Sequence, residues 1–409
     1  MRYGCFILAI VLLQLYPSLV LGYELRLVPS IAIKEEYNSN IFLSADNVKT
    51  DFITTLSPGI EMTDRTGRMN ADLNLRLDRL EFAGNPDFDA INQMYDGKFH
   101  YLISPLLDVS AEAHYARYPN PTLEVSKTGI AMVPVPWEHI TSSLSANYKL
   151  DEKTTALTSY DFGGDYFESQ DYRNDTSHEF HAELDHDFSR YLPALKGFAD
   201  VGYGRYYFFD SSVDNITGVI GFSRDLSETW SAKADAGVRY TSSEVSVPEP
   251  VPVGFLVEGG QEVYIFEMVQ EQFHNSGWGW VADVSLKYNG EKSSGDLTYS
   301  RDIAPAYGLE GAAQSNALAL SAQYRFTGAF TALFTSGYTM LKSNASEFSA
   351  QAIDQKVFRI DPGVRYKFSR DLSAEAGYEY VLVKNPGSEA DRHIFSVRLD
   401  IRRIFGIFL

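Results

Sequence analysis

Apolar and polar residues alternate along most of this chain. In residues 230–241 the even positions are apolar and end in aromatic residues, whereas the odd positions are mostly polar. Five further runs keep the same two-residue period: residues 278–288, 318–326, 358–368, 372–382 and 395–401. A period of two predicts β-strands with one apolar face.

The length of these runs separates a membrane sheet from a soluble one. Strands in soluble proteins are typically about five or six residues long, whereas a tilted strand needs about ten residues to cross a bilayer. The apolar faces also end in aromatic residues, as at Trp230 with Tyr240 and Trp278 with Tyr288, which is typical of the interfacial girdles of membrane barrels. The pattern predicts an all-β chain that forms a transmembrane antiparallel up-and-down β-barrel. A large soluble β-protein is the alternative.

Short and long connections alternate between the runs. Short ones include residues 63–68, 104–105, 150–153, 224–228, 289–293, 327–328 and 369–371. Longer ones include residues 38–50, 118–137, 164–176, 242–275 and 302–315. With a first strand near 30–37 and a last near 393–402, the pattern predicts about 18 strands, with 16 as the alternative. It also predicts about nine outer loops and about eight periplasmic turns, with both chain ends on the periplasmic side.

The N-terminal segment 1–22 has the composition of a secretory signal peptide. Arg2 precedes an almost wholly apolar run that ends in Leu21 and Gly22, which predicts cleavage after Gly22 and one barrel domain over residues 23–409. An N-terminal membrane anchor is the alternative. The single cysteine, Cys5, lies in the removed segment, and a chain without thiols suits passage through an oxidising periplasm.

Charge and hydropathy exclude several classes of protein. The chain has 35 basic and 54 acidic side chains. Loss of Arg2 leaves 34 basic residues and a net charge of −20, so nucleic acid is not an expected partner, because phosphate binding needs the opposite balance. No segment after residue 22 has the roughly 18 uninterrupted apolar residues of a membrane helix. The chain is therefore expected to enter a membrane only as a barrel.

One segment carries a family resemblance. Residues 31–61, IAIKEEYNSNIFLSADNVKTDFITTLSPGIE, resemble the N-terminal signature of the beta-barrel porin-2 family, with an acidic strand end, an Asn-Ser-Asn-Ile turn and a Ser-Pro-Gly. The resemblance implies an outer-membrane location and a porin-like barrel, and some relatives accompany exopolysaccharide or exosortase systems. The C-terminus departs from the pattern: Arg403 interrupts the last strand and residues 404–409 follow. We expect the assembly signal at 395–402, with a short tail beyond it.

The polar face of a barrel of this size looks onto water, so its residues are the candidates for selectivity. On the predicted lumen face they are Glu183, Asp185, Asp187, Lys233, Asp235, Arg239, Arg359, Arg365, Glu375, Glu379 and Arg398. Two interpretations apply: a transverse field that orients ions, or a cross-strand ladder of ion pairs that stabilises the wall. The ladder is favoured for the last three strands, and both remain open for the acidic strand with Glu183. The facing of residues 193–208 is not assigned.

The longest predicted loop, residues 242–275, has two parts. Residues 247–252 alternate Val or Glu with Pro and should be extended, and residues 253–268 indicate a hairpin around a Glu-Gly-Gly turn. One interpretation is a loop folded into the mouth of the barrel, where Glu258, Glu262 and Glu267 form a constriction or lid. The other is an outward extension of the two flanking strands.

No enzyme motif is present in the sequence. It has no Gly-x-Ser-x-Gly, no cysteine pair and no Gly-rich phosphate loop, and strand parity separates His181 from His178 and His186. We expect no catalysis, cofactor or metal, with a lumen hydrolase around His114 as the alternative. The predicted function is a passive channel for small hydrophilic solutes in the outer membrane of a Gram-negative cell. The alternatives are an exopolysaccharide-export component and a plugged structural barrel. Expected partners are lipid, lipopolysaccharide, the barrel-assembly machinery and a small solute or polysaccharide.

Overall fold

The computed structural model describes most of the chain. The described residues are 24–118, 122–126, 129–133, 136–168, 174–208, 211–258, 261–305, 312–344, 348 and 352–408. Within them, side chains are not described in 122–126, 129–133, 247–249, 255–258, 261–264, 304–305 and 406–408. The segment predicted to be a signal peptide, residues 1–22, lies outside the described residues, and its cleavage stays a prediction.

Strands make up nearly all of the described chain. They are β1 Glu24–Asn38, β2 Asp51–Arg65, β3 Met69–Phe82, β4 Ala90–Ser104, β5 Leu107–Tyr118, β6 Thr122–Ser126, β7 Gly129–Val133, β8 Trp137–Lys149, β9 Thr154–Phe167, β10 Asp175–Asp187, β11 Leu195–Tyr207, β12 Ser211–Asp225, β13 Trp230–Glu258, β14 Gln261–Asn289, β15 Ser293–Pro305, β16 Ala312–Arg325, β17 Phe330–Ser343, β18 Ile353–Lys367, β19 Leu372–Asn385, β20 Ser388–Arg402 and β21 Phe405–Phe408. A single 3-10 turn, Pro86–Phe88, follows β3. None of the described residues forms a helix that is long and apolar enough to cross a membrane.

The strands close into one barrel. Each wall strand pairs antiparallel with the next along the chain, and β5 pairs with β8 because β6 and β7 form a separate small hairpin between them. The ends meet where β1 pairs with β20, from Ser30 opposite Arg402 to Asn38 opposite Ile394. Without β6, β7 and β21, the wall contains 18 strands. The prediction of an all-β, up-and-down barrel of about 18 strands is confirmed.

The register fixes which face of each strand is outside, because directly paired residues share a face. Ala234 of β13 pairs with Phe222 of β12 and with Val284 of β14, so all three lie on one face. This face is apolar and exposed around the barrel, as shown by Ile220 at 66% and Val397 at 60% exposure. The apolar faces thus cover the outside of a single closed sheet, and the polar faces line its lumen.

Two aromatic levels bound the apolar outer face. Trp230 and Tyr288 have ring centroids 4.8 Å apart at one level, and Tyr240 and Trp278 have theirs 5.2 Å apart at the other. The levels are ten residues apart on β13, which is about 33 Å along a strand at about 3.3 Å per residue. A strand tilt of about 40° reduces this to about 25 Å, the height of the apolar band of an outer-membrane barrel.

The two ends of the barrel differ. Tight turns of two to seven residues close one end, at 66–68, 105–106, 150–153, 188–194, 226–229, 290–292, 326–329 and 368–371. The opposite end, which we call the mouth, has nine connections: 39–50, 83–89, 119–136, 168–174, 208–210, 259–260, 306–311, 344–352 and 386–387. The predicted division into nine and eight connections is confirmed, although several connections at the mouth are shorter than expected.

The segment 242–275 is a pair of strands. β13 and β14 stay paired from Trp230 opposite Tyr288 to Glu258 opposite Gln261. Pairing of β13 with β12 ends at Val245, and pairing of β14 with β15 begins only at Ala282, so the remainder is a two-stranded ribbon. The prolines of 247–252 occupy every second position, where a missing N–H affects only one edge of a strand. The backbone therefore follows the second interpretation, an extension of the flanking strands.

The C-terminal residues are part of the wall. β21 pairs with the start of β1, from Glu24 opposite Phe408 to Leu27 opposite Phe405. The short tail expected after residue 402 includes a strand that pairs with the wall, because β1 begins six residues before the predicted boundary and offers a longer edge. β20 and β21 occupy this edge one after the other, with a break at Arg403, whose N–H donates to the Pro29 carbonyl at 3.1 Å.

Candidate functional site

The register places every predicted selectivity residue on the lumen face. On β13 the odd positions lie on the face opposite to Ala234, and they include Lys233, Asp235 and Arg239. The strand pairing that starts at β13 then assigns a face to each residue of the other strands, in both directions around the barrel. The residues that it places on the lumen face include Glu183, Asp185, Asp187, Arg359, Arg365, Glu375, Glu379 and Arg398.

One side of the lumen has a cluster of carboxylates, the acidic wall, formed by Glu183, Asp185, Asp200, Asp235 and Asp283. Glu183 lies directly opposite Asp200 on β11, and Asp235 directly opposite Asp283 on β14. Like charges in directly opposed positions destabilise a sheet. Among the described residues, no basic side chain forms an ion pair within 4.0 Å of Glu183, Asp185, Asp235 or Asp283. The acidic wall is therefore arranged at some cost in stability.

Two groups partly offset this charge. His181 Nδ1 is 3.1 Å from Asp200 Oδ1, and the Lys233 ammonium is 4.4 Å from the centroid of the Phe198 ring. The ring lies where a side chain at Gly221 would stand, since a Cβ there would be 2.2 Å from Phe198 Cζ. Lys233 is thus held by a cation–π contact.

β11 now has a defined facing. The register places Phe198, Asp200 and Tyr206 in the lumen and Val201 and Tyr203 outside. Sequence analysis could not assign this strand because large aromatic residues occur on both faces. The facing could have been read from Val201 and Tyr203, which are exposed on the outer face and alternate with Gly202 and Gly204 along the strand.

The lumen side from β18 through β20 to β2 is charge-compensated, and we call it the paired wall. Its ion pairs are Arg365–Glu375 at 2.7 Å, Arg359–Glu379 at 2.6 Å, Arg392–Glu379 at 2.8 Å, Arg398–Asp400 at 2.7 Å and Arg402–Glu61 at 2.7 Å. Glu379 bridges two arginines, and the Arg392 side chain is nearly buried. A cross-strand ladder of ion pairs, the second of the two interpretations of these strands, describes their geometry.

A polar cavity of about 630 Å³ lies in the lumen, lined by part of the paired wall and by the neighbouring strands β14 to β17. Its lumen-facing lining includes Lys34, Lys287, Asp296, Glu375 and Glu379. These residues come from β1, β14, β15 and β19. The cavity is therefore bounded by side chains of both charge signs and is suited to water and hydrophilic solutes.

At the mouth, loop 39–50 folds inward. Leu43 is 5% exposed and packs against Val357, Val381 and Val383, which the register places on the lumen faces of β18 and β19. The Asn40 amide Nδ2 donates to the Asp391 carbonyl at 3.0 Å and to the Ser44 carbonyl at 2.9 Å. Leu43 has φ 45° and Asn47 φ 56°. Asparagine tolerates this left-handed region, whereas leucine adopts it only when its surroundings impose it.

The same loop contacts its other neighbour. The Phe42 and Phe88 ring centroids are 5.0 Å apart, and Lys49 Nζ is 5.5 Å from the Phe42 centroid. Asp51 Oδ1, at the start of β2, accepts a hydrogen bond from the Gly84 N–H at 2.7 Å. Loop 39–50 is thereby joined to the connection 83–89 on one side and to β19 on the other.

The mouth ends of β15 and β16, residues 302–305 and 312–315, also lean inward, and we call them the β15–β16 tip. Asp302 Oδ1 lies 3.1 Å from Arg239 Nη1, across β14, and Arg239 is 3% exposed. A Cβ at Gly279 would lie 2.8 Å from Arg239 Nη2, so glycine leaves room for the guanidinium. Farther along the tip, Ile303 is packed in one buried cluster with Tyr206 of β11. The tip therefore crosses the inner faces of β13 and β14.

The predicted loop glutamates belong to the ribbon. Glu267 is exposed, and the side chains of Glu258 and Glu262 are outside the described residues. Their role in a constriction stays a prediction, whereas loop 39–50 and the β15–β16 tip are elements at the mouth that the sequence analysis missed. The only signal in the sequence for inward packing was the presence of a few apolar and asparagine residues in these segments, such as Leu43 and Asn40.

The histidines are divided between the two faces of the wall. His181 faces the lumen, whereas His178 and His186 lie on the outer face of β10, as strand parity predicts. His114 Nδ1 lies 2.6 Å from Asp96 Oδ1 across two paired strands. Within the described ranges, no group of three or more His, Cys, Asp or Glu side chains could hold a metal ion.

Comparisons with known proteins give structural likenesses only. The chain is similar to the outer membrane protein OpdK of Pseudomonas aeruginosa, with 7% identity, a TM-score of 0.43 and coverage of 93% of this chain and 99% of that one. It is similar to OccAB4 of Acinetobacter baumannii, with 10% identity, a TM-score of 0.46 and coverage of 95% and 100%. For the ferric-catecholate import receptor Fiu of E. coli the identity is 8%, the TM-score 0.47 and the coverage 92% and 81%.

These TM-scores are all below 0.5, so the fold rests on the strand pairing of the chain itself. No protein-family model matches the chain, and no curated protein matches it. The resemblance of residues 31–61 to the beta-barrel porin-2 family therefore stays a prediction. These residues form the mouth end of β1, the inward loop 39–50 and most of β2.

Proposed function

We propose that this chain is a passive outer-membrane channel for small hydrophilic solutes, with a preference for cations. The observation that carries the proposal is the acidic wall: among the described residues, four of its five carboxylates have no ion pair, and they face the lumen of a closed barrel, opposite a wall with five arginine–carboxylate ion pairs. Membership of the porin-2 family, assembly by the barrel-assembly machinery and contact with lipopolysaccharide belong to the same proposal. Residues 31–61 and the outer face support them.

The outer face supports a membrane location. A band about 25 Å high between two aromatic levels matches the hydrocarbon thickness that such barrels span. A closed barrel satisfies its backbone groups internally, which is the condition for crossing lipid without helices. Exposed Phe222, Val238 and Trp280 would be unfavourable in water and favourable against acyl chains. The segment 1–22 supports export to this membrane.

The acidic wall supports cation preference. Uncompensated carboxylates raise the local concentration of cations and repel anions, and a low-dielectric wall strengthens the effect. The paired wall contributes less net field, because five of its arginines each have a carboxylate within 2.8 Å. Screening shortens from about 30 Å at 0.01 M salt to about 3 Å at 1 M, so the preference should be modest and largest at low salt.

Reversal potentials in a salt gradient test this proposal. We expect the parent protein to favour cations and the double variant Glu183→Gln, Asp185→Asn to move towards neutrality. The matched control is Asp151→Asn with Glu152→Gln, which removes the same charge from an exposed turn. An anion preference, or equal shifts in the lumen variant and the control, would contradict the role of the acidic wall.

A plugged structural barrel is the second candidate, because the mouth is narrowed by inward-folded elements. Ion conductance in a planar bilayer separates the two candidates: a plugged barrel would leave the bilayer insulating. Export of exopolysaccharide, which the family resemblance suggested, stays a prediction. Its test is whether the chain is needed for polysaccharide to appear at the cell surface.

A further inference from the structure

We propose that loop 39–50 and the β15–β16 tip together form a constriction at the mouth, which sets the size limit for entering solutes. The inference rests on the proposed channel function and adds the element that determines its selectivity by size. Two independent sets of contacts carry it: Leu43 on the inner wall, and Asp302 with Ile303 across β13 and β14.

The two elements approach from opposite sides of the barrel. Loop 39–50 follows β1, and the tip reaches Tyr206 of β11 and Val213 of β12. In the circular strand order, β12 is nine strands from β1 in either direction. The elements are therefore placed across the full width of the mouth, and the opening between them is narrower than the barrel itself.

Loop 39–50 covers a wide arc of the wall. Leu43 lies in one buried cluster with Val357 of β18, three strands from β1 in one direction. Phe42 contacts Phe88, which follows β3, two strands away in the other direction. At about 4.8 Å between neighbouring strands, this arc is about 24 Å long. A loop that merely joined β1 to β2 would reach neither neighbour.

Both elements are held in place by specific contacts. Asn40 is 2% exposed and donates to the Ser44 carbonyl within the loop and to the Asp391 carbonyl on β20. Arg239 also donates from Nε to the Thr241 hydroxyl at 3.0 Å, and that hydroxyl donates to Asn215 Oδ1 at 2.6 Å. The tip thus engages an ordered set of groups on β12 and β13 through Asp302. A fixed constriction filters by size, whereas freely moving loops would not.

Single-channel conductance and liposome swelling with sugars of increasing mass test the constriction. The variants are Leu43→Asp, which places a charge against three valines, Asp302→Ala, which releases Arg239, and both together. We expect each single variant to raise conductance by about 1.5- to 2-fold, because conductance follows the open cross-section of the pore. The double variant should exceed both and admit larger sugars.

The controls are matched in place and chemistry. Val48→Asp alters the same loop at a side chain that is 55% exposed, and Asp354→Ala removes an exposed carboxylate near the mouth end of β18. Both should conduct as the parent does. A heat-modifiable gel shift establishes that every variant is a folded barrel.

A second readout reports the position of the loop without conduction. Because the sequence has no cysteine after Cys5, a membrane-impermeant maleimide should label Val48→Cys rapidly and Leu43→Cys slowly. Equal labelling would overturn the inward packing of the loop.

The conductance outcomes separate the two proposals. A conducting parent whose variants conduct equally overturns the constriction and leaves the channel function. A parent protein that does not conduct, together with variants that do, supports the constriction and overturns passive permeation through the parent. If neither the parent nor any variant conducts ions, both the channel function and the constriction are overturned.

Discussion

An arginine in place of Ala234 tests the facing of the wall strands. Ala234 lies on the outer face of β13, four residues from Trp230 and six from Tyr240. At about 3.3 Å per residue and a tilt of about 40°, it lies about 10 Å from the Trp230 level of a band about 25 Å high. The substitution therefore places a guanidinium near the bilayer midplane.

The expected cost is about 2 to 4 kcal/mol of unfolding free energy, the penalty for Arg on the lipid face at the midplane. At about 1.4 kcal/mol per tenfold change, the ratio of folded to unfolded protein falls about 30- to 700-fold. Ser285→Arg is the matched control, because Ser285 follows Val284, the direct partner of Ala234, and faces the lumen at the same depth. Its side chain would lie opposite Lys233, which costs at most about 1 kcal/mol.

The assay is reversible denaturant unfolding in lipid vesicles, with the unfolding free energy extrapolated to zero denaturant. We expect Ala234→Arg to lose at least about 2 kcal/mol and Ser285→Arg to remain within about 1 kcal/mol of the parent. A loss for Ser285→Arg as large as that for Ala234→Arg would refute the assignment of faces.

Three further changes address the lumen, the mouth and a turn. Glu379→Gln should lower the unfolding free energy by about 1 to 3 kcal/mol in the same assay, because it leaves the nearly buried Arg392 without its charged partner; an unchanged value would contradict the ladder. Gly279→Val should displace Arg239 and raise conductance as release of the tip does, and a lower conductance would contradict this geometry. Asp151, in an exposed turn outside the membrane-spanning part, has a pKa lowered from 3.8 by a hydrogen bond from the backbone N–H two residues later. The ionised Asp151 carboxylate should therefore stabilise the turn above about pH 3.8, and this stabilisation should disappear as the pH falls through the lowered pKa. An NMR titration that gave Asp151 a pKa of 3.8 or higher would contradict this prediction.

The wall of the barrel could be predicted from the sequence alone. A period of two and aromatic ends are local features, and a lipid-facing strand must show them, so the count of 18 strands followed from the pattern. The facing of Ala234 and Lys233 followed for the same reason. β11 could not be assigned because its lumen face also has aromatic residues, Phe198 and Tyr206, which remove the polarity contrast between the faces.

Other features required the structure. The ribbon of β13 and β14 continues past the aromatic level at Tyr240, and outside the membrane no apolar band marks where a strand must end. The mouth depends on contacts between residues far apart in the chain, such as Leu43 with Val381 and Arg239 with Asp302. Neither partner has a distinctive local pattern, so their pairing could not be predicted from the sequence.

The most direct test of a water-filled channel inside a lipid-facing barrel is the effect of a membrane-impermeant, charged thiol reagent on conductance. The two variants to compare are Ser285→Cys and Ala234→Cys, which lie at one depth on opposite faces of the wall. We predict that the reagent lowers the conductance of Ser285→Cys and leaves that of Ala234→Cys unchanged. An insulating bilayer, or a reagent effect on Ala234→Cys and none on Ser285→Cys, would contradict the account.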